Sequence, residues 1–129
     1  MVEFRGQGVL IMDDEEIVRE VMKSMLQQLD YEVLAAGDGQ EMLAMYEQAA
    51  EAGKPIDVVI LDLTIPGGMS GKEALKKLLH KYPQAWAVAA SGYFDDPVMA
   101  DCASYGFKAA VAKPFQVEEL GQALRKAME

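Results

Sequence analysis

Asp13, Asp14, Asp62, Ser91 and Lys113 are the residues whose types and positions could do chemistry together. Each ends, or directly follows, a short apolar run. If those runs are parallel strands, three carboxylates, one hydroxyl and one ammonium meet beyond the same edge of a sheet. Carboxylates crowded in this way repel, and burial raises their pKa values. A divalent cation relieves the crowding. Mg²⁺ in particular is held by one or two carboxylates together with waters and phosphate oxygens. Lys113 adds a fixed positive charge. Such a group suits a phosphoryl group in transfer, where catalysis is positioning and charge neutralisation. A carboxylate can itself be the nucleophile and become an aspartyl phosphate. Asp62 is the candidate, because the third of five strands should lie in the middle of the cluster. Taken singly, Asp13 and Asp14 could cap a helix, Asp62 could be a loop residue, Ser91-Gly92 a turn and Lys113 a surface lysine. Their coincidence at one edge carries the argument.

The elements that must position them are legible as an alternation. Val9–Met12, Val33–Ala36, Val58–Leu61, Trp86–Ala90 and Ala109–Ala112 are nearly all apolar. Strands of a parallel sheet covered on both faces look like this. The Ala-rich last run has weak strand propensity and is assigned from the alternation. Between the runs lie helical segments. Ile17, Val18, Val21, Met22, Met25, Leu26 and Leu29 form one wide stripe. A second helix is expected from Gly39 to Ala52, closed by Gly53, and a third from Ser70–Gly71 to Tyr82–Pro83. A fourth should start at Asp95-Asp96-Pro97 and close at Gly106, and a fifth should cover Val117 to Met128. The expectation is an α/β fold, a doubly wound five-stranded parallel sheet of flavodoxin-like (βα)5 type with strand order 2-1-3-4-5. In such sheets the site lies beyond the carboxyl ends of the strands.

The 129 residues suit one domain, with residues 1–7 read as a lead-in and 8–129 as the domain. A net charge of −9, from 21 acidic and 12 basic residues, argues against direct nucleic-acid binding. No apolar run approaches the ~18 residues of a membrane span. Cys102 is the single cysteine, which excludes an internal disulfide and fits the reducing cytoplasm. His80, the single histidine, sits late in the third helix, away from the cluster, and is read as facing solvent.

In the segments VLIMDDE (Val9–Glu15), VVILDLTIPGG (Val58–Gly68), ASGY (Ala90–Tyr93) and KPF (Lys113–Phe115), the sequence resembles the receiver domain of two-component response regulators. The likeness runs from about Val9 to Met128. It implies that Asp62 is the phospho-acceptor, and that Asp14, Asp62 and the main-chain carbonyl of Thr64 hold Mg²⁺. It also implies that Asp13 assists through metal-bound water, that Ser91 moves toward the phosphoryl group, and that Lys113 pairs with it. The implied donor is a phosphohistidine on a histidine kinase or phosphotransfer domain. The implied role is a signalling phospho-acceptor, not an enzyme beyond self-phosphorylation and self-dephosphorylation. The family usually has a cis bond after the lysine, so Lys113–Pro114 is expected to be cis. Two features depart from the pattern. Ala110 stands where members usually carry the Tyr or Phe that moves with the hydroxyl residue. The loop TIPGGMSG is one residue longer than usual between Pro66 and Gly71, and its adjacent glycines suggest mobility. With Gly6-Gln7-Gly8 leading in, the chain is most similar in layout to the C-terminal receiver of a hybrid histidine kinase.

Other readings stay open at this level. A haloacid-dehalogenase-like phosphatase also uses an aspartate nucleophile, but needs a second Asp where Thr64 stands. A pseudo-receiver would keep the fold as an interaction module without phosphorylation. A flavodoxin-like FMN protein shares the strand pattern, yet the acidic loop after the first strand would repel phosphate.

Overall fold

The structure is a computed structural model that describes residues 7–93 and 96–128. Most of the expected lead-in, Met1 to Gly6, and Asp95 at the expected start of the fourth helix lie outside the described residues. Strands β1 (Gly8–Met12), β2 (Glu32–Ala36), β3 (Val58–Asp62), β4 (Ala87–Ser91) and β5 (Ala109–Ala112) pair in parallel, in the order β2-β1-β3-β4-β5. This is the expected topology.

The pleat sends alternate residues of each strand into two cores. Leu10, Met12, Val59, Leu61, Ala87 and Ala89 pack on one face against α2 (Gly39–Glu51) and α3 (Gly71–Lys81). Val9, Ile11, Val58, Ile60, Val88 and Val111 pack on the other against α1 (Glu16–Gln28) and α5 (Val117–Ala127). All five residues of β3 and of β4 are buried. Each fully buried aliphatic side chain there contributes about 1.5–3 kcal/mol. Strand β2 lies at the sheet edge, and its Glu32 and Leu34 are exposed.

Local chemistry sets the helix starts. Asp38 accepts the Glu41 N–H at 2.8 Å, and Glu41 in turn accepts the Gly37 N–H at 2.7 Å. Ser70 caps α3 through the Glu73 N–H at 3.2 Å, and Glu119 accepts the Gln116 N–H at 2.8 Å at the start of α5. These side chains satisfy backbone donors that the first helical turn leaves free. Gly53 and Gly106 close their segments with φ of 78° and 92°, as expected.

Two expectations need correction. The fourth helix is not continuous: α4 covers only Pro97–Ala100, and a 3₁₀ turn follows at Cys102–Tyr105. Asp96 caps it through the Val98 N–H at 2.9 Å. At Asp101 the backbone leaves the helical region, with φ −148° and ψ 65°, and the Asp101 carboxylate accepts the Ser104 hydroxyl at 2.5 Å. A local side-chain bond thus replaces the helical turn. Only Val98 in this stretch is buried, so little packing holds a longer helix together. The stripe of α1 is also wider than the face it buries: Met22 and Leu26 are buried, whereas Ile17 is 78% and Val21 48% exposed. His80 is exposed, and Cys102 is half-buried against the α2–α3 core.

Candidate functional site

The carboxyl ends of β1, β3, β4 and β5 bring the sequence's candidates to one edge. Asp62 is the last residue of β3, and Ser91 the last of β4. Asp13 follows β1 directly, and its N–H still joins the ladder through the Ala36 carbonyl at 3.1 Å. Lys113 follows β5, with its N–H on the Ser91 carbonyl at 2.8 Å. Strand geometry therefore fixes four backbones before any side chain makes a contact.

The side chains then converge. Lys113 Nζ donates to Asp13 Oδ2 at 2.7 Å and to Asp62 Oδ2 at 3.3 Å. Asp62 Oδ1 accepts the Thr64 N–H at 3.1 Å, and Asp13 Oδ1 accepts the Glu15 N–H at 2.9 Å. One carboxylate oxygen from each of Asp13, Asp14 and Asp62 lies within 4.8 Å of the other two. Asp13 and Asp62 are buried, and Asp14 is exposed at the mouth of the cluster. Neither Asp13 nor Asp14 caps α1, because the helix starts at Glu16 with Glu15 as its flanking residue. The Lys113–Pro114 bond is cis, as expected.

Burial pushes the Asp62 carboxyl above its usual range, against the Thr64 N–H and Lys113, which pull it down; the Asp13 charge adds to the rise. Burial pulls the Lys113 ammonium down, but the Asp13 bond and the charges of Asp62 and Asp13 outweigh it and hold its pKa above the usual value. Three carboxylates thus face one ammonium. The donor set is all hard oxygen, which fits a hard dication of the Mg²⁺ type and no soft metal.

Ser91 stands apart from this network. Its side chain is buried, yet Oγ accepts the Tyr93 N–H at 2.9 Å and does not touch the carboxylates. Thr64 is exposed, and it reaches Asp62 through its N–H. Ala110 faces the α2–α3 core, half-buried, with no aromatic ring in its place. The loop after Asp62 is closed by a turn. Gly68 N–H bonds the Ile65 carbonyl at 3.1 Å, and Gly67 has φ 72°. Pro then Gly at the two central positions is what a type II turn requires.

Two contributors escaped the sequence reading. Gly71 opens α3 against the back of the site: a Cβ there would lie 2.5 Å from the Asp62 carbonyl oxygen, so only glycine lets α3 approach. Arg19 Nη1 donates to the Asp13 main-chain carbonyl at 2.7 Å. Its signal was one of two cations on α1, Arg19 and Lys23, with nothing in its spacing to tie it to the acidic turn.

The family model for the response regulator receiver domain matches residues 9–125. Chemotaxis protein CheY of Listeria monocytogenes is 35% identical over 120 residues, covering 92% of this chain and 96% of that protein. Sensor kinase CckA of Brucella abortus is 31% identical over 124 residues, covering 94% of this chain but 12% of the kinase. Among solved structures, response regulator TrrA of Thermotoga maritima in complex with Mg²⁺-BeF superposes with a TM-score of 0.79 at 30% identity, covering 94% of this chain and 98% of that one. With the fold, the acidic edge and the family match all in agreement, the chain belongs to the response regulator receiver domains.

Proposed function

We propose that Asp62 accepts a phosphoryl group from a phosphohistidine, with Mg²⁺ bound beside it. The observation that carries this is a buried carboxylate held by Lys113 inside a cluster of three, where charge balance calls for a dication. Asp14, Asp62 and the Thr64 carbonyl would hold the ion, with Asp13 acting on it through water. When bound, Mg²⁺ supplies neutralising charge to the carboxylates and the incoming phosphoryl oxygens. The chain's own residues do the rest. The Asp62 carboxylate forms a bond to phosphorus as the P–N bond of the phosphoimidazole breaks. The electron pair stays on the leaving nitrogen, which takes a proton from solvent. Lys113 is placed to pair with the transferred group, and the Ser91 hydroxyl to donate to it after releasing Tyr93.

The protein would then act as a cytoplasmic signalling acceptor rather than an enzyme with a separate substrate. With Ala110 in place of an aromatic switch, passing the phosphoryl group onward suits the chain better than displacing a ring on β5. The test is ³¹P NMR with acetyl phosphate and Mg²⁺. The expected result is an acyl-phosphate resonance that hydroxylamine removes, with small amide shifts on β5 and α5. No resonance overturns acceptance, sustained hydrolysis of p-nitrophenyl phosphate overturns the non-enzymatic role, and large shifts on β5 overturn the relay role.

The donor's docking face is proposed from the same edge. Ile17, Val21 and Met25 on α1 form, with Pro114 and Phe115, an apolar depression that reaches Lys113. Exposed Glu16 and Glu20 lie on the same helix. A helix with an apolar stripe and basic flanks, carrying the phosphohistidine, complements this face. Ile17→Glu should slow transfer from a phosphorylated histidine phosphotransfer domain by roughly tenfold or more. Uptake from acetyl phosphate should be unchanged. Equal slowing with both donors would place the fault in the site and defeat the docking assignment.

A further inference from the structure

We infer that Arg19 is a positioning residue for the metal-binding carboxylates, acting through the peptide between Asp13 and Asp14. This rests on the reading of the acidic cluster as a Mg²⁺ site.

Asp13 is held at four points. Its N–H bonds the Ala36 carbonyl at 3.1 Å, and its two carboxylate oxygens bond Glu15 N–H at 2.9 Å and Lys113 Nζ at 2.7 Å. The fourth point is its carbonyl, held by Arg19 Nη1 at 2.7 Å. Asp14 is different: it is exposed, and its carboxylate has no hydrogen-bond partner among the described residues. Only its backbone can aim it, and the preceding peptide plane sets that aim. Arg19 holds this plane.

The guanidinium also borders a second segment. It lies against the β2–α2 turn, with Nη1 3.5 Å from where a Cβ of Gly37 would stand and Glu41 Oε1 3.8 Å from the same point. Glu41 is anchored in turn by the Gly37 N–H at 2.7 Å. Arg19 therefore spans from the start of α2 to the β1–α1 turn, and it is half-buried on α1. It touches no carboxylate of the cluster. Outer groups that fix ligand direction typically change metal affinity by about 10–100-fold when removed.

Charge and positioning predict opposite signs, which makes the inference testable. Removing a cation near a dication site would strengthen Mg²⁺ binding if charge alone mattered. Loss of positioning weakens it. The experiment is isothermal titration of the purified chain with MgCl₂, comparing wild type, Arg19→Met, Arg19→Lys and Lys23→Met, an exposed cation on the same helix. Far-UV circular dichroism establishes folding of each variant. A second readout in the metal-free protein is amide hydrogen exchange at Glu15, whose N–H depends on the same turn. The expected result is about tenfold weaker Mg²⁺ binding and faster Glu15 exchange in Arg19→Met. Arg19→Lys should recover most of both, since an ammonium can also donate to the carbonyl, and Lys23→Met should match wild type. Unchanged or tighter binding in a folded Arg19→Met overturns the inference, as does a Lys variant no better than Met. If Arg19→Met fails to fold, Arg19→Lys carries the test: affinity within twofold of wild type supports it, and affinity tenfold lower overturns it. A wild-type chain that binds no Mg²⁺ overturns the metal site itself, and the inference with it.

Discussion

Asp62→Asn ends phosphoryl uptake and beryllofluoride capture, yet raises the melting temperature of the metal-free protein at neutral pH. The first effect follows from losing the nucleophile. An amide oxygen does not form an acyl phosphate, so the hydroxylamine-labile resonance should fall at least a thousandfold, on the order of the losses seen when a nucleophile is removed. The second follows from the raised Asp62 pKa, caused first by burial. An acid whose folded pKa lies above its unfolded value favours the fold when protonated. That contribution is fully present below the unfolded pKa and is lost as pH rises through the folded one. At pH 7.5 the ionised carboxylate is therefore a cost to the metal-free fold. Asparagine removes the charge and keeps an oxygen for the Thr64 N–H, while Lys113 retains its shorter bond, 2.7 Å to Asp13. We expect a melting temperature higher by roughly 2–5 °C in EDTA, the size of an ordinary single-substitution effect. The difference should shrink toward pH 4, and Mg²⁺ should stabilise the wild type more than the variant. A lower melting temperature in EDTA, or a gain that ignores pH, would show that burial of this charge is not what the fold works against.

The strand-end logic that exposes Asp62 was legible because it needs so little. Five apolar runs, four of them followed by a polar residue, place the site once the sheet is parallel. Strand β3 is readable from Val58 to Leu61 because both faces are covered and no polar alternation interrupts it. Even the Ala-rich β5 follows from alternation rather than propensity. What failed was weaker in kind. The α4 segment carries caps and a proline like any helix start, but its outcome depends on one side-chain bond from Asp101 and on how little it buries. The apolar stripe of α1 looks like core throughout, because a helix seen alone does not say how much of its circumference the sheet covers. Ile17 and Val21 fall outside that cover. Gly71 and Arg19 act through main-chain atoms of Asp62 and Asp13, and residue type carries no trace of a backbone contact between segments far apart in sequence.

Lys113→Met should destabilise the metal-free protein strongly, and Mg²⁺ should restore much of the loss. Methionine keeps most of the length and apolar stem of lysine, so packing changes little. What disappears is, among the described residues, the only ammonium bonded to Asp13 Oδ2 and Asp62 Oδ2, at 2.7 and 3.3 Å. Breaking a fully buried pair typically costs 3–5 kcal/mol; here 21% of the lysine side chain is exposed, so we expect about 2–3 kcal/mol. For a domain of this size that is a fall of roughly 6–12 °C. The lysine's pKa is raised by Asp13 and Asp62 against the pull of burial. A base with a raised folded pKa contributes stability that is fully present below its unfolded pKa and lost only as pH rises through the folded one. The contribution is thus complete at pH 7.5, where the variant is compared. Acidification should narrow the gap from the other side, because burial raises the Asp62 pKa and protonating that carboxyl removes one of the charges that Lys113 answers. Saturating Mg²⁺ should narrow it at neutral pH, since a bound dication would offset the same cluster of negative charge. A second substitution, Asp13→Asn, should recover part of the stability of Lys113→Met while lowering that of the wild type, which a packing defect would not do. If the loss is the same at pH 4 and pH 7.5, and with or without Mg²⁺, then Lys113 supports the fold through its stem and not through its charge, and the balance of charges proposed for this site is wrong.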